Sequence, residues 1–271
     1  MHQIPAADIP SLVTRDMLGA VCVLTLNRPQ ARNSLSEAMI AALHAALAKT
    51  AVDNRIHAVV VTATGPAFCA GHDLKELTAR RTDPDHGRAF FHHVMTACSA
   101  LMQSIAELPK PVIAAVQGVA SAAGCQLVAA CDLAVASSAA SFVTPGVDIG
   151  LFCSTPMVAL SRNVARKHAM EMLLTGEPIG AERARDIGLV NRVVAAGRER
   201  DEAVALAQLI AGKPAATVKT GKAAFYRQAE MSLADAYRYA ATVMTENMLT
   251  RDAEEGIGAF LEKRPPRWPS A

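Results

Sequence analysis

Aromatic residues are scarce: one Trp, three Tyr and seven Phe stand in a 271-residue chain that is 51% hydrophobic. The core must therefore be built mostly from Ala, Val, Leu, Ile and Met. No long basic tract occurs, nor any interleaving of basic with aromatic residues, and the formal net charge is only +2. Nucleic acid is thus excluded as an expected partner, while a few local Lys or Arg for a phosphorylated small molecule fit that total. No CxxC pair is present among the six cysteines, Cys22, Cys69, Cys98, Cys125, Cys131 and Cys153. That spacing gives no metal site and suits free thiols in a reducing compartment. No apolar run reaches the length of a membrane span. The opening MHQIPAADIP has neither the basic and apolar regions of a signal peptide nor an Arg-rich amphipathic stretch. The expected compartment is the cytoplasm, and a processed mitochondrial protein would read the same way.

What is present is an alternation of apolar strands and helices. GAVCVLTLNRP (19 to 29) reads as a strand stopped by Pro, and SLSEAMIAALHAALAKTAVDN (34 to 54) as a helix capped by Ser34 or Ser36. HAVVVTATG (57 to 65) reads as a buried strand. KPVIAAVQG (110 to 118), AAGCQLVAAC (122 to 131) and DLAVASS (132 to 138) repeat the strand, helix, strand order. Such alternation argues for α/β layers. Beyond about residue 154 helices dominate, broken by a short strand in GLVNRVV (188 to 194), and from residue 198 four helices are expected, with Pro214 and Ser232 at junctions. A helical region of that kind cannot enclose a core alone; it must pack on the α/β body or on a neighbouring subunit.

Four stretches in this order carry a resemblance: LNRPQARNSLS (25 to 36), GPAFCAGHDLKEL (65 to 77), KPVIAAVQGVASAAGCQLVAACDLAVASSAASFVTPGVDIGL (110 to 151) and GIGAFLEKRPPRW (256 to 268). Together they resemble the enoyl-CoA hydratase/isomerase (crotonase) family, and GLFCSTPMVALSR with LLTGEPI is similar to one subgroup of it. The resemblance implies an α/β fold, a spiral of β-β-α repeats over residues 1–197 with a helical trimerisation region at 198–271, and a homotrimer or hexamer. It implies an acyl-CoA thioester as ligand, with coenzyme A arriving as part of the substrate and no permanently bound cofactor. A thioester oxygen that gains charge is stabilised by two backbone N–H groups, and the family positions of these donors are His72 and Ala123. With Ala122 and Ala123 standing where glycine is usual in the family, negative φ values are expected there, as in a first helical turn. At the nucleotide end the matching positions are Arg28, Gln30, Ala31, Arg32 and Ala70. Phe260 and Lys263 match positions that reach coenzyme A on an adjacent subunit, against a plainer reading of EKRPPRW as a solvated basic tail.

The acids do not match. Hydration of an enoyl thioester uses two glutamates around one water, and the family's two positions fall on Gln126 and Gly146, neither of which exchanges a proton near pH 7. Other titratable candidates carry their plainer readings beside them. Asp148 shares a face with Gly146 if the segment is extended, or else sits in a turn. Glu76 turns toward the pocket or is a surface carboxylate. His92 and His93 lie on a helix bordering the acyl pocket, or are ordinary core or surface histidines. His72 is either only the bearer of its N–H or a participant. Ser121, Cys153 and Ser154 have no base at a recognisable spacing. Two functions remain open at this point: an acyl-CoA enzyme with thioester hydrolysis or decarboxylation in place of full hydratase activity, and a non-catalytic acyl-CoA-binding or scaffold protein.

Overall fold

The computed structural model describes residues 11–268; MHQIPAADIP, on which the targeting expectation rests, and the last three residues lie outside the described residues. Strand β1 (Val13–Leu18) pairs antiparallel with β2 (Val21–Leu26). β1 was not anticipated: its outer half is exposed and carries Arg15 and Asp16, the charged character expected of an edge strand rather than a buried one. Helix α1 (Glu37–Val52) follows, and Ser36 rather than Ser34 is its cap, accepting the Met39 N–H at 3.2 Å.

Three β-β-α units come next. The first is β3 (Ala58–Ala63), β4 (Ala67–Cys69), α2 (Leu74–Ala79) and α3 (Arg88–Glu107). The second is β5 (Val112–Val116), β6 (Val119–Ser121) and α4 (Ala123–Ala130). The third is β7 (Leu133–Ser137), β8 (Ser141–Val143), α5 (Pro156–Asn163) and α6 (Arg166–Thr175). A small element, β9 (Ile179–Gly180), leads through α7 (Ala181–Asp186) to β10 (Arg192–Val194). The first strand of each unit joins a six-stranded sheet of order β1-β2-β3-β5-β7-β10, and the second joins a four-stranded sheet of order β4-β6-β8-β9. The β-β-α spiral expected from the resemblance is therefore present. The three-residue strands of the smaller sheet escaped the sequence reading because they are too short to show a period.

The large sheet is buried on both faces, which is why its parallel strands read as unbroken apolar runs. Val59, Val61, Val112, Ala114 and Val116 face α1 and α3 through Leu43, Leu47, Leu101 and Ile105. The alternate residues Val60, Ile113, Ala115 and Val135, with Val21 and Val23, face Ala203, Leu206 and Ala207 of α8 (Glu199–Ala211). The helical region expected from residue 198 thus sends its first helix onto the sheet. Helices α9 (Ala215–Gln228), α10 (Leu233–Met248) and α11 (Arg251–Leu261) complete it, and α9 and α10 contribute no fully buried residue. Ser232 caps α10 as expected.

One polar cluster fastens α9 to the body. The Lys222 ammonium donates to the carbonyls of Ile105 (2.8 Å) and Lys110 (3.0 Å) and to Asp132 Oδ2 (2.7 Å). Asp132 also accepts the Val112 N–H at 2.7 Å and the Tyr226 hydroxyl at 2.9 Å. Burial pushes the Lys222 ammonium below its ordinary range, opposed by the Asp132 charge. All three ammonium protons have acceptors, so the cluster is a fastening.

A local strain marks the start of α4. Ala122 precedes the helix with φ 48 and ψ −114. The expected negative φ does not hold at Ala122, because the chain must turn sharply from β6 while its N–H donates to Val143 of the neighbouring strand at 2.9 Å. L-residues rarely occupy that region, and such strain costs on the order of 1–3 kcal/mol.

Two predictions follow from these features. Lys222→Met is expected to lower the unfolding free energy by about 3–5 kcal/mol in urea titration, since Asp132 is left as an uncompensated buried charge; a loss below about 1 kcal/mol would contradict the fastening. Ala122→Gly is expected to raise stability by about 1 kcal/mol, the relief of strain exceeding the added chain entropy of glycine, read as an upward shift of the thermal midpoint.

Candidate functional site

Parallel pairing of β4 with β6, Ala67 against Val119 and Cys69 against Ala120, brings the ends of two strands side by side. Beyond those ends lie the Ala70–Gly71–His72 turn and the start of α4. A β-carbon on Gly71 would lie 3.0 Å from the Ala122 methyl and from the Ser121 carbonyl, and 3.5 Å from the Ala123 nitrogen. The two turns therefore touch. Gly124 seals the contact: a β-carbon there would fall 2.1 Å from the Cys69 carbonyl oxygen, so only glycine lets α4 lie against β4.

Leu35 sets the direction of the His72 peptide. Its N–H donates to the Gly71 carbonyl at 2.8 Å and its carbonyl accepts the Asp73 N–H at 3.3 Å, as a parallel bridge. The His72 N–H, one residue out of phase, points away from Leu35. Neither the His72 nor the Ala123 N–H has a hydrogen-bond partner among the described residues. Ala123 is the first residue of α4, where N–H groups lack intrahelical acceptors and the helix dipole favours negative charge.

The first loop is tied to the same turn. Arg32 and Asn33 have φ of 50 and 53, and the Arg32 carbonyl accepts the Ala70 N–H at 3.0 Å. Asn33, fully buried, accepts the Arg28 N–H at 2.9 Å and donates to the carbonyls of Thr64 (2.8 Å) and Ala67 (2.9 Å). Sequence reasoning passed over Asn33, although Asn tolerates a left-handed conformation and its amide can knit three strands of backbone. The Arg28 guanidinium pairs with Asp73 at 2.8 Å. Partial burial pushes the Asp73 carboxyl up, but Arg28, the Glu76 N–H and the Ser34 hydroxyl outweigh that and hold it below the usual carboxylate range. Asp73 is also the cap of α2. Arg28 is thus engaged, whereas Gln30 and Arg32 are exposed and Ala31 half-buried beside them.

Two polar side chains of the site are buried without partners. Gln126 is 4% exposed and its Oε1 has no hydrogen bond; both ring nitrogens of His72 are buried and unpaired. Each such group costs about 1–3 kcal/mol, and native proteins keep few of them. Burial pushes the His72 imidazole below its ordinary range, offset in part by the Leu35 carbonyl, so the ring is neutral near pH 7. Burial also pushes the Cys69 and Cys125 thiols up to about 12 and raises Cys153. All six cysteines are free and buried. Protonated thiols of this kind are poor nucleophiles.

The remaining candidates are dispersed. Residues Pro145–Ile149 form a 3-10 turn, so Asp148 does not share a face with Gly146 as an extended segment would require. The Asp148 carboxylate instead lies over Gly176, whose β-carbon would be 2.9 Å from its Oδ2. Gly146 is buried, and a β-carbon on it would lie 3.0 Å from the Cys153 nitrogen, the Cys153 sulfur and the Leu151 carbonyl. Glu76 accepts the Glu37 N–H at 2.9 Å and so caps α1 instead of facing a pocket. His92 and His93 are exposed, and His93 pairs with Glu37 at 3.0 Å. Ser121 is half-buried; Ser154 is exposed and donates to Phe152. Phe260 is 81% exposed, and Lys263 is exposed just beyond α11. No group of three or more His, Cys, Asp or Glu is gathered as for a metal ion among the described residues.

The sequence model of the enoyl-CoA hydratase/isomerase family matches residues 16–271. The human mitochondrial enoyl-CoA hydratase domain-containing protein 3 is 45% identical over 259 residues, covering 96% of this chain and 84% of that protein. The crystal structure of that human protein superposes with a TM-score of 0.90 at 45% identity, covering 95% of this chain and all of that one. The crystal structure of an enoyl-CoA hydratase from Mycobacterium smegmatis gives a TM-score of 0.90 at 53% identity over 95% of this chain and 98% of that one. The subgroup that GLFCSTPMVALSR and LLTGEPI resemble is that of domain-containing protein 3, and the spiral, the adjoining turns and the matched length agree in one conclusion: the chain belongs to the enoyl-CoA hydratase/isomerase (crotonase) family.

Proposed function

We propose that the protein binds an acyl-CoA thioester and holds the thioester oxygen between the N–H groups of His72 and Ala123. The observation that carries this reading is the contact of the two turns, with both donors free and one of them at a helix N-terminus. Donors fixed in this way stabilise an enolate or tetrahedral oxyanion without reorganisation. Coenzyme A enters with the substrate, its nucleotide end beside Gln30, Ala31, Arg32 and Ala70. A reducing compartment, cytoplasmic or mitochondrial, suits the free thiols.

The reaction is not ordinary hydration. Gln126 holds water without taking its proton, and a side chain at residue 146 would press on Cys153 and Leu151, 3.0 Å from its β-carbon. Thioester hydrolysis or decarboxylation needs the oxyanion donors and not the glutamate pair. In a mass-spectrometric screen of crotonyl-CoA, malonyl-type and saturated acyl-CoAs, crotonyl-CoA hydration is expected below the usual enzyme range of about 1–10³ per second; turnover within it would overturn the proposal. Gln126→Glu with Gly146→Glu is expected to lower stability by about 1–3 kcal/mol through overpacking and to give no hydratase activity. A stable, active double variant would contradict the closed site.

Assembly belongs to the same reading. Leu233, Tyr237, Met244 and Met248 of α10, Leu249 just past its end and Phe260 of α11 are each more than half exposed, from 53% to 81%. So much exposed apolar surface favours a homotrimer or hexamer. Light scattering is expected to give three or six times the 28.5 kDa of the chain, and a monomer at micromolar concentration would refute this arrangement.

A further inference from the structure

We propose that Arg28 and Asp73 are positioning residues: their ion pair keeps the His72 N–H aimed at the thioester oxygen of a bound acyl-CoA, and Arg28 serves this pair instead of a coenzyme A phosphate. This rests on the acyl-CoA reading above. The His72 N–H shares a trans peptide with the Gly71 carbonyl, so the two point opposite ways. That carbonyl accepts the Leu35 N–H at 2.8 Å, and the donor is therefore aimed by whatever holds Leu35 and its loop against the turn. The loop grips the turn through backbone at three places. The Arg32 carbonyl takes the Ala70 N–H at 3.0 Å, Leu35 takes the Gly71 carbonyl, and the Leu35 carbonyl takes the Asp73 N–H at 3.3 Å, the longest of the three. At that longest grip the ion pair is added: Asp73 Oδ2 accepts Arg28 Nη1 at 2.8 Å and the Ser34 hydroxyl at 3.3 Å.

The Arg28 end of the pair is rigid. Its N–H donates to Asn33 Oδ1 at 2.9 Å and its carbonyl accepts the Asn33 N–H at 3.0 Å, so the loop closes on itself. Buried Asn33 is fixed in turn to the carbonyls of Thr64 and Ala67. Arg32 and Asn33 both have positive φ, a conformation that persists only where the surrounding bonds impose it. Arg28 thus reaches Asp73 from a closed loop.

The Asp73 end joins separate pieces. Its Oδ1 accepts the N–H groups of Lys75 at 3.2 Å and Glu76 at 3.3 Å, the first turn of α2, while Oδ2 faces the first loop. One carboxylate ties loop, turn and helix together, and Arg28 is its only cation among the described residues. The two side chains are 27% and 11% exposed, where a charge-assisted hydrogen bond outweighs a neutral one. Charge growing on a thioester oxygen pulls on the His72 peptide, and a donor that yields to that pull stabilises less than a fixed one. Sheet register aims the donor; the ion pair keeps it aimed. Arg32, exposed, is then the cation that the first loop leaves free for a phosphate.

The test compares butyryl-CoA with S-butyl-CoA, the thioether of the same chain, which lacks the oxygen. Calorimetry gives the two affinities, and infrared spectroscopy gives the carbonyl stretch of bound butyryl-CoA. The native protein is expected to prefer the thioester about tenfold, the order of two net hydrogen bonds, with the stretch lowered. Asp73→Asn keeps an oxygen for the α2 cap and turns an NH₂ toward the guanidinium, so it removes the pair alone. In this variant S-butyl-CoA is expected to bind within about threefold of native, while the thioester preference falls to about twofold and the stretch returns toward its free value. Arg28→Met is expected to lose the preference equally, the double variant to lose no more than either single one, and Arg28→Lys to recover part of it. If Asp73→Asn does not fold, Arg28→Met and Arg28→Lys carry the same comparison. Preference and stretch retained in a folded variant would overturn the positioning role, and a parallel loss of both ligands in Arg28→Met would assign Arg28 to a phosphate instead. Native binding of the two ligands with equal affinity and an unshifted stretch would refute the oxyanion donors, and no native binding would refute the acyl-CoA reading itself.

Discussion

The candidate site depends on the pairing of β4 with β6. Each strand is only three residues long, yet together they carry the ends of two successive β-β-α units to one edge of the smaller sheet. Once Cys69 is aligned with Ala120, the Gly71 turn has to meet the turn at Ala122, and Gly124 removes the atoms that would keep them apart. The Leu35 bridge then fixes the rotation of the His72 peptide. Direction and spacing of the two N–H donors are consequences of sheet register and close packing.

A backbone N–H does not depend on the side chain of its residue, so the Ala123 N–H stays available at the start of α4 while Ala122 bears the strain of the turn. Side chains have no such independence. On the proposed reading the two acid positions fall on Gln126 and Gly146, and their surroundings differ: Gln126 is a buried amide, whereas a β-carbon at 146 would press at 3.0 Å on Cys153 and Leu151.

Much of the fold was legible because long elements declare themselves. The apolar runs of β2, β3 and β5, the Ser36, Asp73 and Ser232 caps and the four C-terminal helices follow from local chemistry. The smaller sheet did not, since three-residue strands have no periodicity, and β1 hid behind its charges. Of the candidate site, the motifs pointed to His72 and Ala123, whose turns the structure brings into contact, but several environments depended on tertiary packing. The Arg28–Asp73 pair joins residues 45 positions apart, and the Glu76 carboxylate finds the start of α1 across 39. Of the two readings of Asp148 the structure has the turn, a 3-10 helix opened by Pro145, and not the extended segment. Sequence gives the identity of such groups and leaves their neighbours to the fold.

Several departures from local rules meet at the two turns of the candidate site. Ala122 takes a left-handed φ of 48, Gln126 Oε1 near the start of α4 is buried without a hydrogen bond, and the buried ring nitrogens of His72 make none either. Others lie elsewhere: Arg32, Asn33, His86 and Lys263 also have positive φ, and Gln117 Oε1 is buried without a partner. What sets the two turns apart is therefore their contact, which leaves the N–H groups of His72 and Ala123 on adjoining turns without an acceptor among the described residues.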